Sequence, residues 1–324
     1  MLDAAPPRGA DKRETHRSYV MIACAPYAGS TLLASLLGEH PEIATVSEVS
    51  GTQRARQMDR FRCSCQRLMV ECPFWQEVEG RARAAGIEDF ALGDFRLRFD
   101  NPGLLGRVRT GSLRSTTAED IRDALLRLVP SHERSLRKLG QRNRAFAHVI
   151  LDATDKRVFV DASKEGMRLR YLRRYLGMQL KVVHLVRDVR GVVASSRKRH
   201  EDVDVASAAK GWARTNATLM RHLEGLDPRA RTLLRYEDLC RDPDGTLAAL
   251  HAFMAVTPVG ASVPSDANRS QHLLGNRARL RSMTEIRLDE QWRSSLSSDE
   301  RATIMDASAP IFRSLYPMAV DLSA

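Results

Sequence analysis

Residues 19–24 read Tyr-Val-Met-Ile-Ala-Cys, an apolar run without polar alternation. That pattern predicts a parallel strand buried on both faces. Residues 25–29 break the run. Leu32, Leu33, Leu36 and Leu37 then recur with a helical period behind Ser30 and Thr31, two residues able to cap a helix start. Pro41 ends that helix, and residues 43–46 predict a second strand, so the chain opens with one β-α-β unit. From about 51 to 155 the pattern is less regular. It predicts a helix near 74–85, Gly and Pro breaks around 93–111, and amphipathic helices near 118–129 and 135–151. This stretch reads as a mainly helical insertion over the sheet.

Alternation then resumes, with strands at 158–161, 180–186 and 231–235 and helices at 165–176, 188–199, 206–226 and 245–255. Residues 260–271 predict a polar loop, and 298–315 a last helix interrupted by Pro310. Strands alternating with helices predict an α/β fold with a doubly wound, central parallel sheet. Residues 1–17 have no apolar core and read as a disordered tail, leaving 18–324 as one domain.

Composition narrows the class. With 43% hydrophobic and 28% charged residues the 324-residue chain is of ordinary globular type, which excludes global disorder, collagen and coiled coil. No apolar run approaches the ~20 residues that span a bilayer, so a cytoplasmic enzyme is expected. The net charge is +11. Lys occurs only seven times, so 44 of the 51 basic residues are Arg, the side chain suited to bidentate grip on phosphate and sulfate. Residues 96–144 hold 12 basic against 5 acidic residues, and 164–199 hold 11 against 2. Nucleic acid and a small polyanion are both candidate partners for such a chain. The 6% aromatic content and the lack of interleaved basic and aromatic residues weigh against nucleic acid.

Two constellations carry chemistry. In the first, Pro26-Tyr27-Ala28-Gly29-Ser30-Thr31 joins a buried strand to a helix, so free backbone N–H groups and the helix dipole favour an anion there. A Walker P-loop needs Lys where Ser30 stands, and that Lys serves the β- and γ-phosphates. The turn therefore suits a phosphate or sulfate cradle and argues against nucleoside triphosphate hydrolysis; an ordinary glycine turn is the plain alternative. In the second, Leu180–Val186 leads into Arg187-Asp188, with Ser195 and Arg199 further on. Arg187 lies at a strand's carboxyl end, the usual ligand edge of an α/β sheet. If Asp188 opens a helix, Ser195 and Arg199 share a face, and the three side chains can surround one phosphate. A surface-charged helix is the alternative.

Together these elements resemble the sulfotransferases that use 3′-phosphoadenosine 5′-phosphosulfate (PAPS), bacterial members above all. Further motifs fit in order: Glu48 after the second strand, Asp161-Ala-Ser163-Lys164, Arg235-Tyr-Glu237-Asp238-Leu239 with Asp242-Pro243, and His272-Leu-Leu-Gly275-Asn276-Arg-Ala-Arg279. The resemblance runs from about Tyr19 to Trp292, weakly between 90 and 154. It implies a P-loop-like three-layer fold in which Tyr27, Ala28, Gly29, Ser30, Thr31 and Leu32 hold the 5′-phosphosulfate. Arg187, Ser195 and Arg199 would hold the 3′-phosphate, and Asn276 and Arg279 would close over the nucleotide.

Glu48 would be the general base for a hydroxyl or amine acceptor, a small molecule or carbohydrate, with Thr31 and Lys164 assisting. The sulfuryl group carries less charge than a phosphoryl group, so no metal is required. Many relatives have Arg or Lys where this chain has Tyr27, and Ala28 replaces a common Ser. Charge neutralisation must then come from Thr31, helix N–H groups and Lys164 or Arg279. The Arg excess of the insertion hints at an anionic acceptor, while oligomeric state is not legible. The rival classes are a P-loop-like kinase or NTPase and a non-catalytic polyanion-binding module.

Cys63-x-Cys65-x6-Cys72-Pro73-Phe74-Trp75 also resembles bacterial members. Three thiols could bind zinc with a fourth ligand, but no nearby His supplies one, and His16, His40, His132, His148, His184, His200, His222 and His251 show no metal spacing. A buried thiol cluster or a Cys pair is the expectation. His184 reads as a packed strand residue, Trp75, Trp212 and Trp292 as core or interface aromatics, and Glu237 and Asp238 as structural.

Overall fold

Every residue of β1 (Ser18–Cys24) is buried, and alternate side chains serve opposite layers, as the two-residue period of a strand requires. Tyr19, Met21 and Ala23 enter one apolar core, and Val20, Ile22 and Cys24 enter another. The computed structural model describes residues 16–49, 61–87, 89–92, 94–99, 108, 111, 113, 115–164, 166–262, 272–275, 280 and 285–317. The other strands are β2 (Ile43–Ser47), β3 (Val158–Asp161), β4 (Gln179–Val186) and β5 (Arg231–Arg235). They form one parallel sheet in the order β2-β3-β1-β4-β5.

The helices, in chain order, are α1 (Ser30–Gly38), α2 (Pro73–Ala84), α3 (Thr116–Arg127), α4 (Pro130–Thr154), α5 (Gly166–Tyr175), α6 (Val189–Arg197), α7 (Val205–Glu224), α8 (Tyr236–Arg241), α9 (Pro243–Met254), α10 (Trp292–Ser295) and α11 (Ser298–Leu315). α1 and α9 cover one face of the sheet through Leu33, Leu37, Leu247 and Leu250. On the other face α2, α4 and α5 pack Trp75, Phe146 and Leu169 against Tyr19, Val46 and Phe159. The result is three layers, helix, sheet and helix. Rings carry the contact from insertion to sheet, with centroids of Trp75–Phe95, Phe95–Phe146, Phe146–Phe159 and Phe159–Tyr19 at 5.5, 5.1, 6.2 and 5.2 Å. Such pairs add about 0.5–1.5 kcal/mol each beyond area burial. A third cluster joins α6, α7, α10 and α11 through Val193, Trp212, Trp292 and Phe312. Among the described residues no helix is long and apolar enough to cross a membrane.

The structure decides one point that the sequence pattern left open and departs from that pattern in three others. β3 lies between β1 and β2, so the first crossover skips a position; which strands pair is a tertiary choice that no local period encodes. Gly29, not Ser30, is the N-cap of α1, because its left-handed φ of 96° turns the chain into the helix. The helix expected to reach Arg199 ends at Arg197. Finally, Pro310 does not interrupt α11. Pro310 and Asp306, whose carbonyl loses its helical donor, are both exposed, so water can satisfy that carbonyl.

His251 of α9 lies against His40, with ring centroids 4.5 Å apart and ring planes tilted by 51°. His251 is 1% exposed. Burial pushes its pKa down to about 4, and neighbouring His40 adds to the effect. Between the unfolded value of ~6.5 and about 4 the unfolded chain binds the extra proton, so stability is lost as pH falls through that window. Urea midpoints measured from pH 7 to 4 should fall by the equivalent of about 3 kcal/mol from this group. A His251→Phe chain should show a flatter profile; parallel profiles for the two proteins would contradict this.

Candidate functional site

Because the five strands are parallel, their carboxyl ends open on one edge of the sheet. In spatial order that edge presents Glu48 after β2, Lys164 after β3, the 25–31 turn after β1, Arg187 after β4 and Tyr236 after β5. Five segments far apart in sequence thus meet where open α/β sheets bind ligands.

The turn is shaped by close approach. A Cβ on Gly29 would lie 2.6 Å from Cδ2 of Tyr236, so only glycine fits both the space and the positive φ. The N-cap Gly29 has no side chain with which to cap α1, so the leading amide groups of the helix draw on other partners. Ser30 is buried and its hydroxyl bonds the Cys24 thiol. Ala28 is buried in the core beneath the turn, and half-buried Leu32 packs on the same core. Thr31 is half-buried. Tyr27 also has a left-handed φ, 66°, and its carbonyl accepts a hydrogen bond from Nη1 of Arg187 at 3.2 Å.

Arg187 and Ser195 are brought together as the sequence suggested. Nη1 of Arg187 donates to the Ser195 hydroxyl at 3.2 Å, and the guanidinium, only 8% exposed, lies 4.6 Å from the centroid of the Tyr236 ring. Nη2 donates to the carbonyl and the carboxylate of Asp289 at 3.0 and 3.1 Å. Burial works against ionisation of Asp289, but the Gln291 amide and Arg187 outweigh it and hold the carboxyl below its usual range. Arg199 lies exposed in the turn just beyond α6, where the His200 amide still bonds the Ser196 carbonyl at 3.0 Å. Neighbouring residues hold Arg187 in place. Trp212 donates to its carbonyl at 3.1 Å, Asp188 caps α6, and Glu237 accepts from the Asp188 amide at 2.9 Å and the Tyr316 hydroxyl at 2.9 Å. Glu237 is therefore structural, as is His184, buried and bonded to Asn216 at 3.0 Å.

At the other end of the edge, Lys164 donates to the Glu48 carboxylate. Both side chains are about one-fifth exposed, at 21% and 20%. Cys24 at the end of β1 feels both charges: burial pushes its thiol up to about 11, while Lys164 draws it down and Glu48 pushes it up. The ion pair therefore stands close to the strand that feeds the Gly29 turn. Two left-handed residues aim it, Ser47 at φ 63° beside a register shift in β2 and Lys164 itself at φ 65°.

Beneath Lys164, Asp161 accepts from the Ser163 amide and hydroxyl at 2.9 and 2.5 Å, from the Tyr19 hydroxyl at 2.5 Å and from Nε of Arg168 at 2.8 Å. That buried support was not legible in sequence. Above Glu48 runs the 272–275 segment: the Leu274 amide donates to Val46 at 2.8 Å, and a Cβ on Gly275 would come within 2.9 Å of the Glu48 carboxyl carbon. Asn276 and Arg279 lie outside the described residues.

The expectation that no histidine accompanies the cysteines is overturned. His272 Nδ1 lies 3.4 Å from Cys63 Sγ and 3.3 Å from Cys72 Sγ. Spacing along the chain points only to near neighbours, whereas this partner arrives from about 200 residues away through the strap that pairs with β2. Its presence in the His-x-x-Gly-Asn motif was the available signal.

Three comparisons bear on identity. A search of curated proteins finds no match. Solved structures similar to this chain include the sulfotransferase domain of the olefin synthase from Synechococcus PCC 7002, with TM-score 0.51 and 18% identity over 91% of this chain and 93% of that one. They also include the sulfotransferase domain of the curacin biosynthetic pathway (0.45, 16%, 92% and 96%) and a sulfotransferase from Alicyclobacillus acidocaldarius (0.44, 13%, 93% and 95%). At such identities the first of these supports the fold alone. The family model described as "Sulfotransferase family" matches residues 20–258, about three quarters of the chain, and spans all five strand ends just described. On that match the chain belongs to the sulfotransferase family.

Proposed function

We propose that this chain transfers a sulfuryl group from PAPS to an alcohol or amine acceptor by in-line attack, with Glu48 as general base. The observation that carries the reading is the spacing of charge along one sheet edge. An Arg187–Ser195 pair sits on one side of the glycine-led start of α1, and a Glu48–Lys164 ion pair sits on the other. The donor set fits a nucleotide with phosphates at two ends: the guanidinium and hydroxyl suit the 3′-phosphate, which would displace the Asp289 carboxylate, and the Gly29–Thr31 turn suits the 5′-phosphosulfate.

The donor supplies an electrophilic sulfur and a bisphosphate leaving group. Amide groups of the α1 start and the Thr31 hydroxyl stabilise charge that grows on the leaving oxygen. Lys164 supplies the cation that Tyr27 does not. Glu48 takes the proton from the acceptor as it attacks, a role that needs a carboxylate within one hydrogen bond of the acceptor. Asn276 and Arg279 complete the reading by closing over the nucleotide. The acceptor is a small molecule or carbohydrate bearing a hydroxyl or amine.

Calorimetry with 3′,5′-adenosine bisphosphate, AMP and ATP tests the donor site. The bisphosphate should bind most tightly, because only a 3′-phosphate reaches Arg187 and Ser195. Arg187→Ala should remove about 1.5–3 kcal/mol, roughly 10- to 150-fold, of the preference over AMP, as a charge-assisted contact is lost. Since Arg187 also holds the Tyr27 carbonyl, Ser195→Ala serves as a milder companion and should lose a smaller part of the same preference. Equal affinity for AMP and the bisphosphate in the wild type would defeat the assignment, and preferred binding of ATP would favour a kinase.

A further inference from the structure

We propose that Cys63, Cys65, Cys72 and His272 form a closed tetrahedral Zn2+ site that fastens the strap over Glu48 to the start of the insertion. The four ligand atoms all lie within 4.8 Å of one another. Tetrahedral zinc with bonds of about 2.3 Å to sulfur and about 2.0–2.1 Å to nitrogen sets ligand–ligand edges near 3.8 Å for S···S and near 3.6 Å for S···N. The Cys65–Cys72 sulfurs are 3.6 Å apart, and the His272 nitrogen is 3.4 and 3.3 Å from the Cys63 and Cys72 sulfurs. A disulfide needs about 2.05 Å, and the five cysteines are free thiols.

The local backbone holds the ligands in place. Residues 61–69 form a tight hairpin in which the Cys63 amide donates to the Arg67 carbonyl at 2.9 Å and the Gln66 amide to the Cys63 carbonyl at 2.9 Å. Gln66 takes a left-handed φ of 71° to close it. The Cys65 amide points at the Cys63 sulfur, and the Trp75 amide in the first turn of α2 points at the Cys72 sulfur. Such outer donors orient ligands and stabilise their charge. The His272 ring stacks on Phe74 with centroids 4.3 Å apart and planes 5° apart, which fixes its orientation. Three thiolates and one imidazole fill four positions, so the site keeps none open for substrate and is structural. Soft sulfur ligands in a tetrahedron select zinc over magnesium or calcium. On binding, each thiol releases its proton to solvent.

The consequence runs along the strap. Leu273 donates its amide to the hydroxyl of Ser64, which lies between two of the cysteines, at 2.7 Å. Leu274 then bonds β2 and Gly275 presses on Glu48. The metal thus ties the insertion to the residue that backs Glu48. The site itself does not depend on the proposed transfer chemistry.

The test uses the full chain, purified without chelator or polyhistidine tag, and elemental analysis by mass spectrometry. One zinc per chain is expected. After reduction and metal removal, Co2+ alone should produce intense tetrahedral d–d bands and thiolate-to-cobalt charge transfer, and Zn2+ should abolish both. Cys65→Ser and His272→Ala should lose most of the bound zinc, whereas His272→Cys should keep one equivalent through a fourth thiolate, and Cys24→Ser should keep it as a control. A wild-type chain that carries no zinc and takes up no Co2+ with these bands would overturn the proposal, as would a native Cys65–Cys72 disulfide. These wild-type outcomes stand even if a cysteine variant fails to fold.

Discussion

Glu48→Gln should bind 3′,5′-adenosine bisphosphate nearly as tightly as the wild type while turning over ~10²–10⁴-fold more slowly. The amide keeps the size of the carboxylate and can still face Lys164, but it cannot accept a proton from the attacking alcohol. The ion pair sharpens the test, because Lys164 at the same sheet edge would be left unpaired in the variant. Lys164→Met addresses that directly: it should slow turnover by removing a cation without removing the base. If Glu48 only anchors Lys164, then Glu48→Gln and Lys164→Met should have similar, non-additive effects. Near-normal turnover in Glu48→Gln would make Glu48 a structural carboxylate. Loss of bisphosphate affinity along with turnover would make it part of the scaffold under Gly275. Donor hydrolysis, or a panel of simple alcohols, provides the turnover readout, and calorimetry provides the affinity.

Arg168→Met should destabilise the fold by about 3–5 kcal/mol, the usual consequence of leaving a buried partner charge alone. Arg168 and Asp161 have fully buried side chains. The guanidinium donates to the Asp161 carboxylate at 2.8 Å, the Leu97 carbonyl at 2.9 Å, the Asn143 side chain at 2.5 Å and the Tyr19 hydroxyl at 3.1 Å. Met keeps much of the volume and supplies none of these donors. Urea unfolding followed by circular dichroism would show the loss as a lower midpoint. A double variant, Arg168→Met with Asp161→Leu, removes the stranded charge and should recover part of the stability. A loss below about 1 kcal/mol in the single variant would mean the network contributes little. Because Asp161 also holds Ser163, the turn that presents Lys164 should loosen, and turnover should fall further than the folded fraction accounts for.

The local grammar of this chain was legible without coordinates. The apolar run of β1, the leucine stripe of α1 and the apolar β4 follow from burial with a fixed period, and the structure has all three elements. The Arg187–Ser195 contact was legible as well, because a strand end and a short helix relate residues eight apart with little freedom. Tertiary structure alone decided that β3 would enter between β1 and β2, that Asp289 would occupy the free side of Arg187, and that the helix after Arg187 would stop short of Arg199. It also decided the buried support of Lys164, which joins Tyr19, Leu97, Asn143, Asp161 and Arg168 across about 150 residues of sequence, and the approach of His272 to three cysteines. Each of these contacts depends on which elements pack together, and that choice minimises exposed apolar area and unpaired charge over the whole chain at once. A period of two or 3.6 residues fixes which face of an element is buried. It carries no information about which distant element will cover that face.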